Sequence, residues 1–434
     1  MRVLWLSMTP GLYGKGNNAY NGGGWIASLQ GLLENEQIDL GLSFITHTEL
    51  EKKVEGHTIY YPVFVPELTM FQKLRTYYGG YRKEDKSVLE SALQRVVEDF
   101  QPDIIHVFGI ENPQAIILGK TDIPVIVHLQ GILGPCDTAF WPPAVNASSF
   151  TKPFTKREWI MRNGYIFAKK SIHVRALREK KLFKRLEYAM GRTTWDKQCT
   201  SLMAPQSEYF HVDEVLRPVF YENSGKWERP VDTQIQIFST ISNTVYKGLD
   251  LILKTAKLLK EYMDISFNWY VAGVKPDDCL VKFFEKIFNI RSEEVNIRYL
   301  GVLTAKDLCQ KELQSHCYVH TSYIDNSPNS LCEAQLLGVP CISTNVGGIS
   351  SLVEHGKTGF LVPANAPYEL AYYISQIACD NDLATVVSKK GTLSAAKRHD
   401  KEKIVNQLLN TYKMVINNLE NNKIPSTNAQ KEDS

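Results

Sequence analysis

The sequence predicts an α/β protein built from two Rossmann-like units, and three observations carry that expectation. Strand-like and helix-like segments alternate along nearly the whole chain, the pattern of a parallel sheet covered by helices. The first strand, Arg2 to Ser7, runs into a glycine-rich loop and then a helical stretch, Trp25 to Leu33. A polar run from Glu222 to Asp232, with Ser224, Gly225 and Pro230, separates this series from a second one. At 434 residues the chain is long enough for two domains, each with its own core.

In the first series the loop holds Gly11, Gly14 and Gly16, then Gly22, Gly23 and Gly24 just before the helix, a spacing that does not match the dinucleotide fingerprint. Segments then alternate: Leu40 to Thr46, His57 to Val65, helical Ser87 to Phe100, strand Asp103 to Phe108, helix Pro113 to Leu118 and strand Pro124 to Leu129. Ligands of open parallel sheets sit at the C-terminal strand ends. Polar groups stand there: His106 with Glu111 and Asn112, and His128 with Gln130 and Gly131. The aromatic and proline-rich stretch Pro135 to Pro153 reads as an irregular loop, a candidate lid.

Lys156 to Glu187 reads as a helix that is strongly basic over 169–187. Such a segment suits an anionic membrane surface, and equally a solvated face over an ordinary core. The second series opens with strand Gln234 to Ser239 and helix Leu249 to Tyr262, followed by strands Trp269 to Gly273 and Asn296 to Gly301. Helices Pro367 to Cys379 and Leu383 to Lys397 flank Asp380-Asn381-Asp382, read as a turn and helix cap rather than a metal site. The expected units are 1–222 and 233–397, with an amphipathic helix at 400–419 and a polar, disordered tail at 420–434.

The composition, 44% hydrophobic and 22% charged with a formal charge of +2, gives no global reason to expect nucleic acid. No apolar run is long enough to span a bilayer, and MRVLWLSMTP lacks a signal-peptide layout, so a cytoplasmic location is expected. The eight cysteines form no CxxC pair and read as reduced thiols, several of them in apolar runs.

The functional signal lies between His316 and Val362. Cys317 to His320 and Pro340 to Ser343 read as buried strands, and Pro328 to Leu337 as a helix with Ser327 at its N-cap. Asn329 and Ser330 then stand at a helix N-terminus, whose free amides and dipole suit phosphate. Asp325 and Glu333, eight positions apart, place a carboxylate on either side of that anion site, ready to accept from hydroxyls. Gly347 and Gly348 leave room for close backbone approach to the same ligand. A nucleotide sugar, with phosphates in its middle and hydroxyls at both ends, fits this arrangement.

With these residues the chain resembles the retaining glycosyltransferases of family 4, of the GT-B fold, in which two Rossmann-like domains face each other across a cleft. Within that family it resembles the subgroup that builds capsular and other surface polysaccharides, through the segment Gly191 to Lys197, GRTTWDK. The resemblance implies a nucleotide diphosphate sugar as donor substrate, a carbohydrate or lipid-linked saccharide as acceptor, and no metal or other cofactor. It implies that Asp325, a Glu in most members, contacts the transferred sugar and Glu333 the ribose. The amides of Asn329, Ser330 and Leu331 would take the phosphates. It places Lys247, followed by Gly248, Leu249 and Asp250, against the diphosphate, and Leu300, Gly301 and Val302 around the base.

The family's arginine before that lysine has no counterpart in Ser239 to Thr244, which makes Arg192 a candidate substitute. VIVHLQG resembles the segment whose histidine, here His128, reaches the sugar, while His106, Glu111 and Gly22 to Gly24 match acceptor-side and cleft positions. The implied activity is retaining hexosyl transfer at the inner face of the membrane, with the 400–419 helix crossing back onto the first domain. Two alternatives stay open: a nucleotide-sugar epimerase or hydrolase on the same fold, and a non-catalytic nucleotide-sugar-binding subunit.

Overall fold

The computed structural model describes residues 1–14, 23–66, 83–143, 145, 149, 164–231, 234–263 and 266–423. The first half comprises β1 (Arg2–Ser7), α1 (Gly23–Leu33), β2 (Asp39–Thr46), β3 (Lys53–Glu55), β4 (Thr58–Phe64), α2 (Lys83–Phe100), β5 (Ile104–Phe108), β6 (Val125–His128), α3 (Leu133–Thr138), α4 (Tyr165–Phe183), β7 (Tyr188–Gly191), α5 (Thr194–Met203), β8 (Glu208–His211) and α6 (Pro218–Glu222). The second comprises β9 (Ile235–Thr240), α7 (Leu249–Tyr262), β10 (Phe267–Ala272), α8 (Cys279–Phe288), β11 (Ile297–Gly301), α9 (Ala305–Leu313), β12 (Cys317–His320), α10 (Asn329–Leu337), β13 (Cys341–Thr344), β14 (Phe360–Val362), α11 (Pro367–Cys379), α12 (Asn381–Arg398) and α13 (Lys401–Lys423).

These strands form an eight-stranded sheet, β3-β4-β2-β1-β5-β6-β7-β8, and a six-stranded sheet, β11-β10-β9-β12-β13-β14. Every described pairing is parallel except β3 with β4. Central strands such as β5, IIHVF, are buried throughout because helices cover both faces.

The alternation of side chains along β1 splits the first half into two cores. Leu4 and Leu6 join the α2 residues Leu89, Leu93, Val96 and Phe100, which recur at helical spacing. Val3 and Trp5 face the other way, toward Trp25 of α1 and Ile404, Val405, Leu408 and Tyr412 of α13. The last helix of the chain thus closes one face of the first sheet. A single core surrounds the second sheet, and α7 contributes Leu249, Ile252, Leu253 and Ala256 to it.

Several expected boundaries shift. Pro113–Ile117 is a 3-10 turn instead of an α-helix. Ser327 does not cap α10: Pro328 holds that place without a side-chain hydrogen bond, and the Ser327 hydroxyl instead donates to Glu214 Oε1 at 2.6 Å. Gly23 and Gly24 lie in the first turn of α1 rather than in the loop before it. Gly22, Gly16, residues 144, 146–148 and 150–153 of the candidate lid and the tail from 424 onward lie outside the described residues, and Pro135 to Thr138 of that stretch belong to the helix α3 rather than to an irregular loop. Asp380 is the N-cap of α12, accepting from the Leu383 amide at 2.8 Å. Among the described residues no helix is long and apolar enough to cross a membrane.

Candidate active site

The loops after β9 and β12 are laced together, and this lacing sets the site. Gly248 adopts φ 80 and ψ 28 as the N-cap of α7. A Cβ there would stand 2.0 Å from the Thr321 carbonyl, so only glycine permits the contact. Thr321 Oγ1 donates to the Lys247 carbonyl at 3.0 Å, and the Tyr323 amide donates to the Tyr246 carbonyl at 2.8 Å. Held this way, Lys247 Nζ donates to Asp325 Oδ2 at 2.6 Å.

Ser322 Oγ donates to the same oxygen at 3.2 Å, and His320 Nε2 lies 3.2 Å from it. Burial alone would raise the Asp325 carboxyl, but Lys247 and His320 outweigh it and hold it well below the usual carboxylate range. Asp325 is therefore an anion in all ordinary buffers. Gly347 and Gly348 do approach a backbone closely, but it is their own chain's: a Cβ on Gly347 would meet the Asp325 carbonyl at 1.9 Å, and one on Gly348 the Asn326 carbonyl at 2.3 Å. Their role in the structure is to seat the Asp325 loop.

Asn329 and Ser330 open α10 and are partly exposed, while Leu331 is buried. Tyr318 donates its hydroxyl proton to Ser330 Oγ at 2.8 Å, which orients the first turn. At the far edge of the second sheet Gly301 is already committed: its amide donates to Val274 at 2.9 Å and its carbonyl accepts from Gly273 at 2.7 Å. Val302 beside it is exposed.

The facing wall comes from the first half. Cys136 of α3 lies within the electrostatic reach of Asp325, Lys247, Glu179 and Glu111, and burial pushes its thiol up to about 12. Glu111 folds back beneath Gly109, whose φ of 88 and missing Cβ make the space. Burial, reinforced by Glu179 and opposed by Arg175 and Arg192, pushes Glu111 up to about 7. Its Oε2 has no hydrogen-bond partner among the described residues. Glu179 is likewise pushed up to about 7 by burial while it accepts from the Leu133 and Gly134 amides, which fixes the start of α3.

The basic run of α4 is turned partly inward. Lys169 Nζ pairs with Asp137 at 2.6 Å, Arg175 Nη2 donates to the Glu111 carbonyl at 3.4 Å, and Arg178 donates to that same carbonyl. Lys180, Lys181 and Lys184 remain exposed.

Four expected positions are placed differently from the sequence expectation. His106 does not face the cleft: its strand register sets it beside Trp5, and Nδ1 meets Tyr412 Oη of α13 at 2.5 Å in the core. His128 closes β6 but is buried, with Trp25 edge-on at 5.3 Å and the His106 ring at 5.5 Å. Burial drives its pKa well below the usual value, so the ring is neutral, and neither nitrogen has a partner among the described residues.

Arg192 is not an exposed ligand-seeking cation. Its Nη1 lies 3.2 Å from Glu214 Oε2, and Nη2 donates to the Leu129 and Gln130 carbonyls at 3.3 and 3.2 Å. Glu333 is also engaged, since Arg217 Nε and Nη2 donate to its two oxygens, each at 2.7 Å. Behind this pair the buried Glu312 has no partner for either oxygen among the described residues, and burial and Glu333 raise its pKa well above the usual carboxylate value.

Sequence reasoning missed His320, Cys136, Glu179, Arg217 and Glu214. For His320 a signal existed, a histidine closing a buried strand, as at His128. For the Arg217–Glu333 pair none did, because nothing in the residues indicates which acid, 116 positions away, a given arginine will meet.

Residues 222–394 match the family described as Glycosyl transferases group 1. N-acetyl-alpha-D-glucosaminyl L-malate synthase of Bacillus anthracis is 26% identical over 221 residues, 50% of this chain and 56% of that protein. The putative colanic acid biosynthesis glycosyltransferase WcaL of Escherichia coli K12 is 28% identical over 173 residues, 37% of this chain and 41% of its own length. The chain thus matches only about half, or less, of each of these relatives. Among solved structures, sucrose-phosphate synthase of Thermosynechococcus elongatus superposes with a TM-score of 0.69 at 13% identity, covering 96% of this chain and 99% of that one. HepE of Anabaena, in complex with UDP-glucose, gives 0.61 at 16% identity over 95% and 100%. With two parallel α/β sheets and these likenesses, the chain has the GT-B fold, and its residues 222–394 match the group 1 glycosyl transferase family.

Proposed function

We propose that this protein is a retaining, metal-independent glycosyltransferase that moves a sugar from a nucleotide diphosphate sugar to a hydroxyl acceptor in surface polysaccharide or glycoconjugate assembly. The observation that carries the reading is the Lys247–Asp325 pair, 2.6 Å apart, four residues before the open first turn of α10. During transfer the bond from the anomeric carbon to the diphosphate breaks, one to the acceptor oxygen forms, and the acceptor hydroxyl's proton passes to the leaving diphosphate. Negative charge accumulates on the leaving diphosphate, and a preorganised ammonium with free helix amides stabilises it without reorganisation. Asp325, held ionised, accepts from the transferred sugar's hydroxyls, and closure of the two halves excludes water.

The ligand of the HepE complex, UDP-glucose, supports a uridine diphosphate sugar as the first donor class to screen. The colanic acid name of the Escherichia coli relative supports a saccharide acceptor, with peripheral membrane contact through 169–187 as part of the same proposal. In this reading Arg217 holds Glu333 in place beside the ribose, and Glu111 and Arg175 line the acceptor side.

The test is transfer from a panel of nucleotide diphosphate sugars to saccharide acceptors, for the wild type, Lys247→Ala and Asp325→Asn. Loss of turnover in both variants with an unchanged melting profile is expected, and undiminished turnover in both refutes the site. Rapid conversion of donor without acceptor would identify an epimerase or hydrolase instead. Donor binding without turnover across the acceptor panel would identify a binding subunit.

A further inference from the structure

A cavity of about 550 Å³ has neither Lys247 nor Asp325 in its walls. Its walls come from both halves: Arg192, Thr194 and Lys197 around the start of α5, Ser351 from the second half, Lys397 at the end of α12 and Lys403 in the first turn of α13. None of Lys247, Asp325, Asn329 or Ser330 lines it. Thr193 Oγ1, donating to Asn326 Oδ1 at 2.7 Å, joins the halves between the Asp325 loop and this space.

The chemistry of the walls is one-sided. Arg192 is 4% exposed, and its three guanidinium contacts, to Glu214, Leu129 and Gln130, leave Nε without a partner. The ammonium groups of Lys197, Lys397 and Lys403 make no hydrogen bond or ion pair among the described residues. The one carboxylate of the lining, Asp213, already holds His211 at 3.1 Å. Unpaired ammoniums converging on one space repel, and an occupant carrying several negative charges relieves that repulsion. The ten-residue α5, whose first amide reaches Ser351 Oγ at 3.0 Å, directs its positive end at the same place.

We infer that this cavity binds a small condensed-phosphate anion, a molecule with linked phosphate groups, independently of the donor cleft. Because both halves contribute walls, the occupant fixes the angle between them, and its presence favours one state of closure. The donor site is built from other residues, so this site stands or falls apart from the proposed transfer.

The test is calorimetric titration of the full chain with inorganic pyrophosphate in a Lys247→Ala background, which removes the donor cleft's ammonium. Binding is expected to persist there, and adding Lys397→Gln with Lys403→Gln is expected to weaken it about tenfold or more, with an unchanged melting profile. The control adds Lys180→Gln with Lys181→Gln, the same loss of charge on exposed α4, and is expected to change affinity less than about twofold. Absence of binding in the Lys247→Ala protein, or equal weakening by both pairs of substitutions, overturns the inference. The second outcome would show diffuse surface attraction only.

Discussion

Two ion pairs lie at α10, one just before it and one within it, and they differ in what surrounds them. Lys247 and Asp325 keep side-chain exposures of 23% and 15% and stand at the cleft. Arg217 reaches inward from the link between the two halves to Glu333, which is 1% exposed and backed by the buried Glu312. The first pair is the more accessible of the two to a ligand. The second is a clasp between the linking segment and α10, in which each charge depends on the other for solvation. The comparison teaches that two acids eight residues apart, identical in sequence signal, can carry opposite balances of binding and stability.

Breaking the clasp should have the largest effect. Glu333→Ala leaves the Arg217 guanidinium half-buried and unpaired, and should lower unfolding free energy by about 3–5 kcal/mol in a denaturant titration. Replacing both partners, Arg217→Met with Glu333→Leu, should recover most of that loss. A double variant as unstable as the single one would show that the pair is not a clasp.

Gly248→Ala comes next, because any Cβ drives into the Thr321 carbonyl from a left-handed backbone. It should lower stability by about 1–3 kcal/mol and shift Lys247 enough to weaken donor binding. Lys247→Ala should cost less stability than Glu333→Ala, because Ser322 and His320 still face Asp325, while transfer falls on the order of 100-fold to 1000-fold. The same stability loss for Lys247→Ala as for Glu333→Ala would erase the distinction between the pairs.

The smallest effect is in pH dependence. Glu111 is raised to about 7, above its unfolded value, so the unfolded chain releases its proton first as pH rises. Its contribution to stability is then fully present below about pH 4.5 and lost as pH rises to about 7. Glu111→Gln cannot ionise, so the wild type should lose stability relative to the variant between about pH 5 and about pH 8. A difference between them that stays constant across that range would place Glu111 in water rather than in the cleft wall.

Much of the fold was legible because burial imposes period and length. The bounds of α7 and α11 follow directly from apolar spacing, and β12 from a short apolar run. Lys247 and Asp325 were legible because both lie in local patterns, a lysine before a glycine-opened helix and an acid before a proline-capped one. What was not legible depends on register and on distant partners. His106 and His128 both end buried strands, yet the twofold alternation that sets His106 under Tyr412 is visible only once Trp5 is paired beside it. Glu333 and Arg192 looked like free ligands because their partners, Arg217 and Glu214, come from a linking segment whose path the sequence does not disclose.

The most direct test is a thermal-shift titration with nucleotide diphosphate sugars, UDP-sugars first, on the wild type, Lys247→Ala and Tyr412→Phe. A donor that binds at Lys247 and Asp325 should raise the melting temperature of the wild type and of Tyr412→Phe, whose change lies under α13, but not that of Lys247→Ala. An equal rise in all three proteins would contradict the assignment of Lys247 to the diphosphate.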